Sequence, residues 1–414
     1  MLLHWNKERH SIKIQIILSG EQKVICFKCN IEIDFCDRVI IKANQYYFYS
    51  MKQNSCVLFR ACYIFLAIVF IAKQSYAQDA NSIWIRPQSI TDASLWGIKN
   101  GITVSLWPAA TELTKSDGGP RGLLRIGYNY MGANFLINFI AIEPVVNGNM
   151  EFSEISPSAV DGKWGKFIWA ADSIGNSHYT GNANTRGIIT HPDASHPNVE
   201  ELSFYLFMER FKNGAHPYIK ISMRSDAPAE LCMQVFNEAN STNMQRCALT
   251  ATMGNYSRLR FLYLENSIVD SRKLFAGYND IDFIEKQPYD YNEMLRTKQG
   301  DYIAVAESNE DFAQLADWPQ QRAYLLRNSW RYRPFFKLTQ YWKKPAQDAD
   351  SSLTVRVNGR AKYWSGGSNN AANYIDIPGG PAFENFELRD TYHAGEKFVF
   401  GLSLLSAKQL IDSL

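Results

Sequence analysis

Four Asn-Gly pairs punctuate this chain, each flanked by β-branched or aromatic residues: Asn100-Gly101 in "LWGIKNGITVSLW", Asn147-Gly148 after "NFLINFIAIEPVV", Asn213-Gly214 in "SFYLFMERFKNGAHPYIKISMRSD" and Asn358-Gly359 in "SLTVRVNGRAKYW". A two-residue type I′ turn needs positive φ at both central positions, which Asn and Gly adopt most readily, and its twist matches that of paired strands. The pairs therefore predict hairpins. Further runs of the same character, "GLLRIGYNY", "RLRFLYLEN", "DYIAVAES", "FFKLTQYW" and "KFVFGLSLL", take the expected strands past about ten. Only "SNEDFAQLADW" has helical spacing, with Ser308 as cap and Pro319 as stop. The expected fold is all-β with minor helix: a large antiparallel β-sandwich, the closed barrel being its rival. "NFLINFIAIEPVV" is apolar on both faces and reads as a central strand between layers.

The N-terminal region reads differently. Lys52 and Arg60 precede the apolar run "ACYIFLAIVFIA", and Ser75-Tyr76-Ala77 precedes Gln78, the pattern of a secretory signal peptide cleaved after Ala77. The run is shorter than the roughly 20 residues that span a bilayer. The expected organisation is a mistranslated upstream segment over 1–50, a signal peptide over 51–77 and a single large domain over 78–414. The alternative is a membrane-anchored protein with a short inner tail. Cleavage leaves a secreted or periplasmic protein with no stable membrane span.

Cys26-x-x-Cys29 with Cys36 lacks a fourth ligand in sensible spacing, so no metal is expected there. Beyond residue 77 only Cys232 and Cys247 remain, on the flanks of "ELCMQVFNEANSTNMQRCALTATMG", which reads as two strands around a polar turn. A bridge across that hairpin and two buried free thiols are both compatible with the spacing. Acidic groups slightly outnumber basic ones after residue 77, so nothing points to nucleic acid. The Gly-rich pieces "DGGPRGLLRIG", "SGGSN" and "IPGGPAF" lack the strand, glycine spacing and helix of a phosphate or dinucleotide site, and no HExxH, GxSxG or twin CxxC occurs. No cofactor is expected.

With Asn213-Gly214 as a two-residue turn, Phe211 faces His216, Glu209 faces Tyr218, Phe207 faces Lys220, Tyr205 faces Ser222 and Ser203 faces Arg224. The opposite side carries Phe204, Leu206, Met208, Ile219, Ile221 and Met223, a core face. The first side mixes rings with charges, as a surface does when rings stack on sugars and charged groups bind hydroxyls or carboxylates. A solvated face with rings resting on Lys and Arg stems gives the same pattern.

Two chemistries fit. β-Elimination at a uronic acid needs a base and a cation, which Tyr218 or His216 and Arg224 supply, with Lys220 beside them. Hydrolysis needs two carboxyl groups about 5 to 9 Å apart; Glu209 is one candidate, Glu143 and Glu384 are alternatives, and Glu154 and Glu387 also adjoin strands. The catalytic set is thus Glu209, His216, Tyr218 and Arg224, and the binding set Glu143, Glu384, Lys220, Trp342, Arg360 and Trp364, the last three from "TQYWKKP" and "VNGRAKYW". His191 and His196 in "THPDASHP" read as loop residues. The expected partner is a polysaccharide or oligosaccharide, bound by a lyase or glycoside hydrolase or by a non-catalytic glycan-binding protein of the envelope.

At "RGLLRIGYN", "NFIAIEPVV", "LTATMGN", "TQYWKKP" and "IPGGPAFENFELRD" the chain resembles an uncharacterised family of secreted bacterial proteins over about residues 82 to 402. That resemblance implies no activity. In size and strand density the chain is also similar to the large sandwich of galactose-mutarotase-like proteins, which hosts epimerases, hydrolases and polysaccharide lyases; their His and Glu motifs have no residue-by-residue match here, so this likeness is one of architecture.

Overall fold

The computed structural model describes residues 82–89, 92–106, 121–176, 184–192, 194–252, 257–308, 338–363 and 376–414, with the backbone of a few further strands. The chain divides into two compact units, Met1–Asn81 and Ser82–Leu414. The first contains four antiparallel strands, Leu2–Asn6, Ser11–Leu18, Ile25–Asp34 and Arg38–Ala43. The predicted signal peptide, the helical window "NEDFAQLADW" after Ser308 and Trp364 lie outside the described residues.

The second unit is a β-sandwich of two 11-stranded sheets, each with nine strands in its main order and two short strands paired off it. The first sheet runs Gln287–Asp290, Thr354–Arg360, Ala382–Arg389, Arg246–Thr252, Ala133–Val146, Leu123–Tyr130, Ile102–Ser105, Leu95–Ile98, Trp84–Ile85. The second runs Ile168–Ala171, Glu201–Met208, Pro217–Arg224, Glu230–Asn237, Glu396–Ser403, Thr339–Lys344, Tyr302–Ser308, Leu259–Tyr263, Ile268–Asp270. The main core lies between them, where Ile140, Ile142, Leu249, Phe386 and Leu388 of the first meet Phe204, Leu206, Ile219, Ile221, Phe398 and Phe400 of the second. The 14-residue strand Ala133–Val146 is central and buried on both faces, as the apolar residues on both of its faces predict. Among the described residues no helix is long and apolar enough to cross a membrane.

The Asn-Gly pairs part company here. Asn147 and Gly148 both take positive φ, 50° and 75°, and Val146 pairs with Asn149, so a two-residue turn closes the hairpin as predicted. Asn213-Gly214 does not. The Gly214 N–H donates to the Phe211 carbonyl (3.1 Å), the Phe211 N–H donates to the Ala215 carbonyl (2.8 Å), and of the pair only Gly214 has positive φ, 92°. This is a three-residue loop with Gly in the left-handed position. The strands consequently pair Phe207 with Tyr218, Tyr205 with Lys220 and Ser203 with Ser222. That register is two residues away from the predicted one, and an even slip preserves the faces. Asn213 is held by its side chain instead, which donates to the Pro144 and Asn149 carbonyls (3.1 and 3.0 Å) and accepts from the Ala215 N–H (3.0 Å). Asn358-Gly359 sits within a strand at a register shift, Asn358 Oδ1 accepting from the Asn385 N–H (3.0 Å).

A short C-terminal helix, Ala407–Ser413, is capped reciprocally by Ser406 and Gln409 and packs Leu410 and Ile411 near Tyr341. Cys232 and Cys247 are free thiols. Their strands lie in different sheets, so "ELCMQVFN" and "RCALTAT" are strands but not a hairpin. At one end of the core the wholly buried Lys344 ammonium meets Glu396 Oε2 at 2.6 Å and Asp390 Oδ2 at 3.5 Å.

Candidate active site

The outer face of the first sheet carries charge where most sheet surfaces carry small polar groups. Leu249 and Ala251, Ile140 and Ile142, and Phe386 and Leu388 point into the core, so the alternate residues on the same three strands point away from it. Those are Ala248 and Thr250, Ala141 and Glu143, and Glu387 and Arg389. Glu143 lies opposite Ala248, and Thr250 opposite Glu387, which in turn lies opposite Arg356. Ala248 and Thr250 are small, whereas Ala141 joins a separate apolar cluster with Leu123, Phe139 and Ile377.

Glu143 and Glu387 converge on one cation. Lys286, just before the edge strand Gln287–Asp290, places its Nζ 3.3 Å from Glu143 Oε2 and in close contact with Glu387 Oε2. Arg356 Nη1 stands 3.5 Å from Glu387 Oε1. Both carboxyl groups are buried, at 1% and 0% exposure, whereas Lys286 and Arg356 retain 14% and 22%, so the cluster sits directly beneath the surface. Lys286 also lies over the Phe152 ring, 5.6 Å from its centroid.

Burial, reinforced by the neighbouring Glu387, pushes Glu143 up to about 8 against the pull of Lys286. Glu154, on the loop beside the Glu143 strand, is pushed up by burial to about 7. Burial opposes the charge on Lys286, but the two carboxylates outweigh it and raise its pKa. The arrangement therefore joins a carboxyl group that keeps its proton near neutral pH to a second carboxyl flanked by two cations. Among the described residues no group of three or more His, Cys, Asp or Glu is placed to hold a metal ion.

The predicted hairpin residues take other places. Glu209 is tied to a neighbouring loop: its carboxylate accepts from Ser158 Oγ (3.0 Å) and from the N–H groups of Ala159 (2.7 Å) and Phe167 (2.6 Å). His216 Nε2 donates to the Met208 carbonyl (2.9 Å). Arg224 is half exposed and pairs with Asp226 at 2.8 Å, in the turn beyond its strand. Tyr218 and Arg224 are six residues apart on one extended strand, about 20 Å, so the structure does not bring them to one substrate atom. Lys220 pairs at 3.9 Å with Glu201.

Tyr218 belongs to a row of rings that crosses four strands of the second sheet on its outer face. Trp169 and Phe207, Phe207 and Tyr218, and Tyr218 and Phe236 are each cross-strand partners, with centroids 6.4, 5.5 and 5.2 Å apart. The rings stack on one another, and Tyr205 packs beside them. This face is thus neither wet nor simply charged: it holds a small satellite core with half-exposed Tyr205 and Phe236.

The second predicted group also disperses. Trp342 is fully buried in the main core, its Nε1 donating to the Phe386 carbonyl (2.8 Å). Arg360 is buried, donates to the Ile281 carbonyl (2.6 Å) and lies over Phe283. Glu384 is buried three residues before Glu387 on the same strand, and it is Glu387 that meets Lys286. Sequence reasoning had both carboxylates among its candidates but not Lys286: an isolated lysine before a short edge strand carries no signal of a partner 143 residues away. Compared with known proteins, the chain matches no family model, no curated protein and no solved structure.

Proposed function

We propose that the protein is a secreted or periplasmic glycoside hydrolase acting on a polysaccharide or oligosaccharide, with Glu143 and Glu387 as its carboxyl pair. The observation that carries this reading is the shared contact of both groups with Lys286 Nζ. A common ammonium fits the short carboxyl spacing of retaining enzymes, about 5 to 5.5 Å, better than the 6.5 to 9.5 Å or so of inverting ones. Glu143, protonated up to about pH 8, is the acid that gives its proton to the leaving glycosidic oxygen. Glu387, flanked by Lys286 and Arg356, is the carboxylate that bonds to the anomeric carbon as that oxygen departs. Water then displaces Glu387, and Glu143 takes the water's proton back.

Elimination finds less support, since its proposed base and clamp, Tyr218 and Arg224, stand about 20 Å apart. A second reading, glycan binding without chemistry, is favoured by the ring row and the half-exposed Tyr205 and Phe236 beside Lys220. The deciding experiment incubates the protein with acidic and neutral polysaccharides and follows reducing ends together with absorbance of unsaturated uronates. New reducing ends that disappear in Glu387→Gln and Glu143→Gln support hydrolysis. Unsaturated products, or retention on a glycan with no products, would overturn it in favour of the lyase or the binder.

A further inference from the structure

Beside the carboxyl pair the same outer face gathers three arginines. Arg246 stands opposite Val145, outside the core like Ala248 two residues on, while Arg356 and Arg389 occupy the neighbouring strands Thr354–Arg360 and Ala382–Arg389. Arg389 is two residues from Glu387 on the same face, and Arg356 lies directly opposite Glu387. All three are half-buried.

Their charges are poorly compensated by the protein. Arg356 shares Glu387 with Lys286. Neither Arg246 nor Arg389 forms an ion pair among the described residues, and Arg389 Nε is buried without a hydrogen-bond partner. Burial and the two neighbouring guanidinium groups hold the Arg389 pKa below its ordinary value, although Glu387 and Glu143 pull the other way. A buried N–H without an acceptor is destabilising, and three guanidinium groups on adjacent strands repel one another. An external anion offsets this positive charge, and the exposed side of a planar guanidinium fork fits an oxyanion with two parallel hydrogen bonds.

We propose that Arg246, Arg356 and Arg389 form a subsite for an anionic group of the sugar chain, so that the substrate is an acidic glycan. This rests on the hydrolase reading for the neighbouring carboxyl pair, but it concerns binding and is tested by binding. A uronate carboxylate and a sulfate ester present the same oxyanion chemistry.

The test is native affinity electrophoresis of the full chain in gels containing a polyuronate, a sulfated polysaccharide or a neutral glucan, repeated with Arg246→Gln, Arg389→Gln and Arg389→Lys. The expected result is retardation by a charged polymer and not by the glucan, weakened at least tenfold in each Gln variant, partly kept in Arg389→Lys, and falling with added salt. The polymer that retards identifies carboxylate or sulfate. Thermal denaturation of each variant separates lost binding from lost folding. Retardation that the Gln variants leave intact, retardation by the neutral glucan alone, or no retardation by any polymer would overturn the subsite. Reducing-end release from a neutral polymer would then still leave the hydrolase standing, whereas arginine-dependent binding of an acidic polymer without cleavage would keep the subsite and sink the hydrolase.

Discussion

Glu143 and Glu387 stand on strands that never touch, with Arg246–Thr252 between them, yet their carboxyl groups share the Lys286 ammonium. Breaking a buried ion cluster by removing one member leaves uncompensated charge and typically destabilises by about 3 to 5 kcal/mol. Lys286→Met is therefore expected to abolish activity and to lower stability by about that amount near pH 8. The loss should shrink toward pH 5, where Glu143, pushed up to about 8 by burial, holds its proton. Urea denaturation at both pH values measures this, and an equal loss at the two would contradict the coupling.

The raised carboxyl groups set a pH dependence. Glu143, pushed up to about 8, and Glu154 and Glu396, each pushed up to about 7 by burial, keep protons in the folded protein that the unfolded chain releases near 4.5. The folded state binds more protons across that window, so stability is greatest below it and declines as pH rises from about 4.5 toward 8. On the acid side Asp161 and Asp270, lowered by hydrogen bonds from Arg121 and Arg272, contribute stability that is lost as pH falls below 3.8. The melting temperature should peak near pH 5, and Glu143→Gln should flatten its decline toward pH 8. A melting temperature that rises over that range would refute the assignment.

The loop at Asn213-Gly214 permits a local test. An added Cβ at Gly214 would lie 2.4 Å from Thr242 Oγ1, at a φ of 92° that L residues rarely adopt. Gly214→Ala should cost about 1 to 2 kcal/mol. Asn213→Gly, which favours a type I′ turn but removes the bonds to Pro144 and Asn149, should also destabilise rather than stabilise. Chemical denaturation of both variants decides.

The ring row separates packing from chemistry. Phe207 is 1% exposed between Trp169 and Tyr218, so Phe207→Ala should cost about 3 to 5 kcal/mol. Tyr218→Phe keeps the stacked ring and is expected to leave melting temperature and hydrolysis nearly unchanged. A large loss of turnover in Tyr218→Phe would return the active site to the second sheet.

The two thiols should be inert. Burial pushes Cys232 up to about 11 and also raises Cys247 well above the ordinary thiol value, and the thiolate is the reactive form. Mass spectrometry after alkylation of the native protein should find Cys247 unmodified, and non-reducing conditions should yield no Cys232–Cys247 bridge.

The sequence by itself determined the strands and which of their faces turn inward. Period-two alternation requires only that a strand be half buried, so Phe204, Leu206, Ile219 and Ile221 identify the core face whatever the register. The doubly apolar Ala133–Val146 likewise identified itself as central, because only such a position buries both faces. Register was another matter: Asn147-Gly148 and Asn213-Gly214 are the same dipeptide, and the second departs from the two-residue turn because Asn213 finds acceptors at Pro144 and Asn149, 69 and 64 residues away. The sheet assignment of "ELCMQVFN" and "RCALTAT", and with it the separation of the two cysteines, was equally tertiary. So was the site. Glutamates beside strands are common, and what distinguishes Glu143 and Glu387 is burial on one sheet face around Lys286, a property of strand order that local sequence does not encode.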